Sequence, residues 1–168
     1  PLLVASQAIP KVALAPIFVV WFGFGLLPKV LIAFFIAFFP IVVNTVVGLS
    51  RTPPEMIHLM RSLGASPIQI LLRVRLMAAA PYIFAGVKIA AAFAVVGAIV
   101  GEFIAASSGL GYMQLVANNN IEIPLLFATL VVLSIMGILL FYLVVLVEIL
   151  VLPRPLRQSG TNVEGSTL

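Results

Sequence analysis

The sequence from 123 to 152 contains a single charged side chain, Glu148. An α-helix of about 20 consecutive apolar residues is enough to cross the hydrocarbon core of a bilayer. In the whole chain, 63% of the 168 residues are apolar and 8% are charged, whereas soluble domains carry roughly 25% charged residues. Because a soluble core could not bury this much apolar surface, the sequence predicts an all-α integral membrane domain.

Four apolar segments have the length and composition of candidate spans: 12–27, 30–49, 82–106 and 123–152. The first is short, and Gly23, Gly25 and Pro28 around its end predict a tight turn. We expect one membrane domain over residues 1–155. The segment 156–168 is polar and aperiodic, so we expect a disordered tail there.

The basic residues predict the orientation of these spans. They cluster between the second and third spans and after the fourth, at Arg51, Arg61, Arg73, Arg75, Arg154 and Arg157. Loops rich in arginine and lysine stay on the cytoplasmic side, and two spans separate the clusters, so both are expected inside. The net charge of +4 therefore indicates topology, and we expect no nucleic-acid partner.

The segment 51–81 is the one long amphipathic stretch of the chain. Thr52, Pro53 and Glu55 match a capping box with proline at the first helical position. An apolar stripe at spacings i, i+3, i+4 and i+7 follows, formed by Met56, Leu59, Met60 and Leu63. Gly64 predicts the end of this helix.

A second short helix is predicted from Ser66, with Pro67 and Gln69 repeating the start signal, and Pro81 marks the entry to the third span. The segment is thus predicted to form two short helices joined by a glycine turn at the membrane surface. Two interpretations remain open. The segment rests on lipid headgroups with its arginines on phosphates, or its apolar stripe enters a groove on a soluble subunit.

The stretch RSLGASPIQILLRVRLMAAAPYIFAGVKIA resembles the signature loop of bacterial binding-protein-dependent ABC transporter permeases. Gly64 matches the signature glycine and Leu76 the signature leucine. The sequence departs from that pattern at 58–60, where His-Leu-Met stands in place of Glu-Ala-Ala, and at Met77, which replaces a proline. Glu55 lies one turn earlier and can stand in for the family glutamate.

PLLVASQAIPKVALAPIFVVWFGFG and GEFIAASSGLGYM are similar to the subgroup that imports nitrate, sulfonates, taurine and thiamine-precursor pyrimidines. The resemblance implies a MetI-like transmembrane bundle of about six spans, with about four here and about two expected ahead of Pro1. It implies a multi-pass inner-membrane permease that forms a homodimer. Two ATPase subunits would bind ATP and Mg, and a periplasmic protein or lipoprotein would deliver the substrate. That substrate would be a small anion or a pyrimidine-type vitamin precursor.

By the same resemblance, the segment 51–81 couples the spans to the ATPase. The residues expected to do so are Glu55, Met56, His58, Leu59, Met60, Arg61, Leu63, Gly64, Ala65 and Ser66. Capped short helices around one glycine would provide a stiff element with a defined joint, as force transmission requires.

Glu102 stands near the outer end of the third span, where a carboxylate close to hydrocarbon needs a partner, a cavity or water. It either braces the following loop and lines the transport path, or it is simply hydrated at the interface. The candidate path or gate residues are Glu102, Ser107, Ser108, Gly109, Gly111 and Tyr112.

Gly97 and Gly101 form a small-xxx-small pair that allows close helix approach. This favours packing within one subunit, with a dimer or pore-lining surface as the alternative. Lys88 is expected to extend to the inner interface, and Glu148 is expected at that interface too.

The sequence contains no nucleotide-binding P-loop and no nucleophile, base and orienter set, so we expect no enzymatic activity in this chain. It has no cysteine and one histidine, so we expect neither a metal site nor a cofactor. The alternative class is a fragment of an ion-coupled secondary transporter or channel. Such proteins carry buried acids or broken helices near the midplane, whereas the charges here lie near span ends.

Overall fold

The computed structural model describes residues 10–152. Within this range it contains six helices and no strand: α1 Lys11–Phe22, α2 Leu26–Ser50, α3 Pro54–Ser62, α4 Pro67–Ala105, α5 Leu110–Asn119 and α6 Ile123–Val151. Of these, α2, α4 and α6 are long and apolar enough to cross a membrane. The predicted all-α membrane class is confirmed. The predicted tail, together with Arg154 and Arg157, lies outside the described residues.

Helix α1 is shorter than the predicted first span. It consists of a 3₁₀ turn over Lys11–Leu14 and an α-helix over Ala15–Phe22, about 18 Å at roughly 1.5 Å per residue, against a hydrocarbon thickness of about 30 Å. Gly23 ends it with a φ of +73° while its N–H bonds to the Val19 carbonyl. Three helices of the described residues are thus long enough to cross a membrane. The first predicted span was expected to recruit residues from its N-terminal side, as far back as Leu2, and those before Pro10 lie outside the described residues.

Helix α4 joins two elements that were predicted as separate. It runs unbroken for 39 residues from Pro67 to Ala105, so the predicted second surface helix is continuous with the predicted third span. Leu71–Arg75 is a π-helical turn, which accommodates extra residues without ending a helix. Pro81 lies inside the helix. A membrane helix tolerates a proline, because only one N–H donor is lost and neighbouring groups can satisfy the freed carbonyl.

Helix α5 was not predicted. Asn118–Asn120 was expected in an outer loop, but α5 ends at Asn119 and the turn to α6 follows. The N–H of Ile121 bonds to Asn118 O at 3.3 Å and that of Glu122 to Ala117 O at 2.8 Å. Ile121 itself has a φ of +58°. These hydrogen bonds close a helix end of the kind that usually requires glycine.

Within the described residues the chain forms two units. The first contains residues up to Phe39 and Ile89–Leu143, and the second contains Pro40–Lys88 and the residues from Val144 onward. The core of the first unit consists of Ala15, Phe18, Ile32 and Ile36. Half-buried side chains from α1, α2 and α4 pack around this core. One of them, Phe35, stacks on the core residue Phe18 with ring centroids 5.4 Å apart.

In the second unit, two glycines bring α2 and α4 close together. A Cβ built on Gly48 would lie 2.8 Å from the Tyr82 Cβ, and one on Gly86 would lie 2.9 Å from both the Asn44 Cβ and the Pro40 carbonyl oxygen. Neither glycine was singled out in the sequence. Such contacts favour helix association in membranes because small residues let backbones approach.

Candidate functional site

The first helix of the amphipathic segment starts one residue later than predicted. Pro53 is the N-cap of α3 and no side chain caps the helix. The Thr52 hydroxyl donates instead to the Leu49 carbonyl oxygen at 3.1 Å, and Thr52 is buried. The capping box is wrong because this hydroxyl is already bonded to the end of α2. Glu55 lies in the first turn of α3, where its negative charge interacts favourably with the positive end of the helix dipole.

The apolar stripe of α3 is largely uncovered, and no residue of α3 is buried. Met56 is 51% exposed, Leu59 61% and Leu63 72%. Of the ten predicted coupling residues, Met60 and Ala65 are half-buried and eight are exposed: Glu55, Met56, His58, Leu59, Arg61, Leu63, Gly64 and Ser66. An exposed apolar stripe on a short helix provides a surface for association.

Gly64 ends α3, as predicted. Its φ is +78°, and its N–H bonds to Arg61 O at 3.0 Å while the N–H of Ala65 bonds to Met60 O at 3.0 Å. This pair of bonds is a Schellman motif, in which a left-handed residue satisfies the last carbonyls of a helix. Gly64 lacks the Cβ that would make this conformation costly.

Helix α4 begins with the predicted capping box. The Gln69 N–H donates to the Ser66 hydroxyl at 3.3 Å, and the Ser66 N–H donates to the Gln69 side-chain oxygen at 2.8 Å. Pro67 occupies the first helical turn. The joint between α3 and α4 is thus defined on both sides, by the Schellman motif and by this box.

The arginines of the segment line two cavities in the second unit. Arg61 and Arg75 line one of about 390 Å³, in which the Arg75 Nε is buried and has no hydrogen-bond partner among the described residues. Arg51 and Arg73 line another of about 410 Å³. The Arg51 guanidinium carbon lies 5.6 Å from the centroid of the Tyr82 ring. The sequence assigned these side chains only to the cytoplasmic side.

Glu102 organises the loop that follows α4 in the first unit. Its Oε2 accepts a hydrogen bond from the Gly111 N–H at 2.6 Å, so the carboxylate caps α5 from a distance. Gly109 is the N-cap residue with a φ of +124°, and a Cβ there would lie 2.5 Å from the Glu102 Cδ. Of the other candidate path residues, Gly111 is buried, Tyr112 is half-buried, and Ser107 and Ser108 are exposed.

Gly97 and Gly101 lie against α2 of the same chain. A Cβ on Gly97 would lie 2.6 Å from the Ala33 Cα, and one on Gly101 would lie 3.0 Å from the Lys29 Cα. This geometry is packing within one subunit, the favoured interpretation of the sequence.

Lys88 and Glu148 form an ion pair with each other. Lys88 Nζ lies 2.5 Å from Glu148 Oε2, and the Glu148 side chain is 7% exposed. Both were predicted to reach the inner interface separately. The sequence did place two opposite charges near the inner ends of their spans. Whether the two side chains meet depends on how the helices pack, which the sequence alone does not show.

A search of residues 10–152 for three or more neighbouring His, Asp or Glu side chains with metal-binding geometry finds none.

Residues 1–154 match the family described as binding-protein-dependent transport system inner membrane component. The chain is 43% identical over 148 residues to the riboflavin transport system permease protein RibX of Chloroflexus aurantiacus, covering 88% of this chain and 55% of the relative. It is 42% identical over 158 residues to the formylaminopyrimidine transport permease protein ThiX of Halalkalibacterium halodurans, covering 94% and 63%.

A probable ABC transporter permease protein of Haemophilus influenzae is 40% identical over 142 residues, covering 84% of this chain and 58% of the relative. The chain thus spans less than two thirds of the length of these relatives. With three apolar helices of membrane-crossing length and a family match over nearly all of its residues, the chain is a multi-pass membrane protein that belongs to the family of inner-membrane components of binding-protein-dependent transport systems.

Proposed function

We propose that the chain is the permease subunit of an ABC importer and that its Arg51–Pro81 segment couples substrate movement to a separate ATPase. The observation that carries this proposal is the exposed stripe of α3, made by Met56, Leu59 and Leu63, next to a defined joint at Gly64. Anchors at these spacings fit helix-in-groove recognition, and methionine adapts to the shape of a partner surface.

The continuity of α4 supports this mechanism. The helix starts two residues beyond Ala65 and continues as a span to Ala105. A push on α3 reaches Ser66 through one glycine joint that is hydrogen-bonded on both sides. A stiff helix then carries that displacement along its axis.

A permease that does not hydrolyse ATP itself requires partner proteins. ATP and Mg bind to a dimer of ATPase subunits, since this chain has no P-loop. A second copy of the permease completes the path, and a binding protein outside the membrane delivers the substrate. We assign Glu102 and the residues around the start of α5 to the path or its gate, because the Glu102 carboxylate joins the end of α4 to the start of α5. These residues are Ser107, Ser108 and Gly109 before the helix, and Gly111 and Tyr112 in its first turn.

The substrate class is a heterocyclic vitamin or a pyrimidine-type vitamin precursor. Two relatives above 40% identity are named for riboflavin and formylaminopyrimidine transport. Small anions such as taurine and nitrate are the competing class. Uptake of labelled pyrimidine, riboflavin, taurine and nitrate by cells that express the full system distinguishes them. Uptake of the anions alone would contradict the vitamin assignment.

The coupling role is tested by co-purifying the full-length protein with its ATPase. Leu63→Asp places a charge on the stripe, and Gly64→Pro breaks the joint. Each is expected to reduce complex formation or transport-coupled ATP hydrolysis by roughly tenfold or more, as loss of an interface anchor does. Ile121→Asp is the matched control, because Ile121 is equally apolar and exposed but lies outside the segment. Wild-type values for both segment variants would remove the coupling assignment.

A further inference from the structure

A groove in the second unit combines two arginines with an apolar wall. It lies where the end of α2, the start of α3 and the first turns of α4 meet, and its volume is about 410 Å³. Arg51, Arg73 and Tyr82 form its polar side, and Met56, Met77 and Pro81 belong to its apolar side.

Within residues 10–152, no carboxylate neutralises the positive charge of this groove. The described residues that line the cavity include no aspartate or glutamate, and Lys88–Glu148 is the one ion pair found in the same range. The Arg51 guanidinium lies against the Tyr82 ring, with one nitrogen 3.5 Å from the phenol oxygen. Arg51 is therefore held in place while most of its donors remain available to an anion.

From the lengths of the helices, we expect the groove at the depth of the lipid headgroups. Helix α2 ends at Ser50, so Arg51 directly follows a span. The 39 residues of α4 extend about 58 Å, roughly twice the hydrocarbon thickness, so the arginine-bearing end projects from it. Tyr82 has the position of an interfacial aromatic residue, and the arginine clusters place this end on the cytoplasmic side.

We propose that this groove binds an anionic glycerophospholipid of the inner leaflet. The guanidinium groups of Arg51 and Arg73 hold the phosphate, a geometry that arginine favours, and an acyl chain lies along Met77 and Pro81. A lipid here bridges the end of α2 and the start of α4, and so stabilises the base of the Arg51–Pro81 segment. The site depends on neither the transported substrate nor ATP.

The test uses the full-length protein in phosphatidylcholine nanodiscs that contain a photoactivatable phosphatidylglycerol, with adducts mapped by mass spectrometry. Labelling is expected on peptides that contain Met56 or Met77, and unlabelled phosphatidylglycerol should compete with it while phosphatidylcholine does not. Arg51→Gln and Arg73→Gln should each weaken the apparent affinity about fivefold, the effect of one basic side chain at an anionic surface.

Arg61→Gln is the matched control, since it removes the same charge from α3 but Arg61 lines the other cavity. It should leave labelling unchanged. Arg51→Lys keeps the charge and should retain most of the labelling, which provides a second measurement if Arg51→Gln does not fold.

Three results would overturn the proposal. An equal loss in Arg61→Gln would show diffuse attraction without a site. Full competition by millimolar inorganic phosphate would show a site for the free anion. Loss of ATPase co-purification in Arg51→Gln and Arg73→Gln, with lipid labelling unchanged, would assign the groove to a protein surface.

Discussion

Lys88 of α4 and Glu148 of α6 form an ion pair with an Nζ–Oε2 distance of 2.5 Å in the second unit. Glu148 is the single buried charged residue among residues 10–152, and Lys88 is only partly exposed. A lone charge near hydrocarbon costs several kcal/mol, so each group makes the other tolerable. The contact also fixes α6 to the helix that begins at the Ser66 capping box.

Removal of one partner should destabilise the protein more than removal of both. Lys88→Met leaves Glu148 buried and unpaired, which costs roughly 3–5 kcal/mol. The double variant Lys88→Met with Glu148→Met replaces the pair by apolar side chains and should recover most of that loss. SDS-induced unfolding in mixed micelles, followed by circular dichroism, measures both. Additive losses in the double variant would show that the two side chains do not interact.

Gly97 and Gly137 lie in membrane-spanning helices but have opposite surroundings. A Cβ on Gly97 would lie 2.6 Å from the Ala33 backbone, whereas nothing lies within 4 Å of one on Gly137. Gly97→Ala should therefore separate α2 from α4 and cost about 1–3 kcal/mol. Gly137→Ala should be neutral or stabilise by up to about 1 kcal/mol, because alanine favours a helix.

The melting temperatures of these two variants in the same detergent provide the comparison. Equal shifts for Gly97→Ala and Gly137→Ala would show that the close approach of α2 and α4 does not contribute to stability.

The Glu102 cap predicts a local effect on α5. Glu102→Ala removes the acceptor of the Gly111 N–H and should cost roughly 1–2 kcal/mol, as other N-cap losses do. Gly109→Ala should cost at least as much, because the Cβ meets the Glu102 carboxylate and φ is +124°. Gly25→Ala is the control, since nothing lies within 4 Å of a Cβ there.

Hydrogen exchange of the α5 amides is the measurement for this cap. Faster exchange in the first turn of α5 for Glu102→Ala and Gly109→Ala, but not for Gly25→Ala, is expected. Unchanged exchange in all three variants would remove Glu102 from the start of α5.

Local patterns predicted much of the structure of the segment 51–81. The left-handed conformation of Gly64 and the reciprocal bonds of Ser66 and Gln69 depend on neighbouring residues alone, so the sequence contains the information. The Thr52 box matched the same motif yet failed, because two prolines follow it and the Thr52 hydroxyl bonds to Leu49 instead. A local motif fails where a preceding helix provides a competing acceptor.

Contacts between distant helices were the part that sequence could not provide. The Lys88–Glu148 pair and the close approach at Gly86 depend on which faces of α2, α4 and α6 meet, and in a nearly uniform apolar sequence no polar face marks them. Helix α5 was missed because its cap, Glu102, belongs to the preceding helix.

The Ser66 capping box should control local stability at the joint. Ser66→Ala removes the acceptor of the Gln69 N–H and should cost about 1 kcal/mol, with faster hydrogen exchange at the first amides of α4. Ser62→Ala is the matched control, because the Ser62 hydroxyl only donates to Leu59 O on an exposed surface. Equal exchange rates in the two variants would show that the box does not hold the start of α4.

Ile121 holds a left-handed conformation that is costly for a β-branched side chain. Its φ is +58° and its side chain is 79% exposed. The left-handed conformation costs roughly 1–2 kcal/mol, and packing of such an exposed side chain offsets little of that cost. Ile121→Gly should therefore raise the stability by about 1 kcal/mol, because glycine adopts this conformation without a Cβ clash. Ile121→Ala keeps the Cβ and separates relief of strain from loss of an exposed apolar group. The melting temperature should rise for glycine and stay near the wild-type value for alanine. An equal rise in both would attribute the gain to the lost side chain, and a fall for glycine would show that the turn between α5 and α6 is not strained.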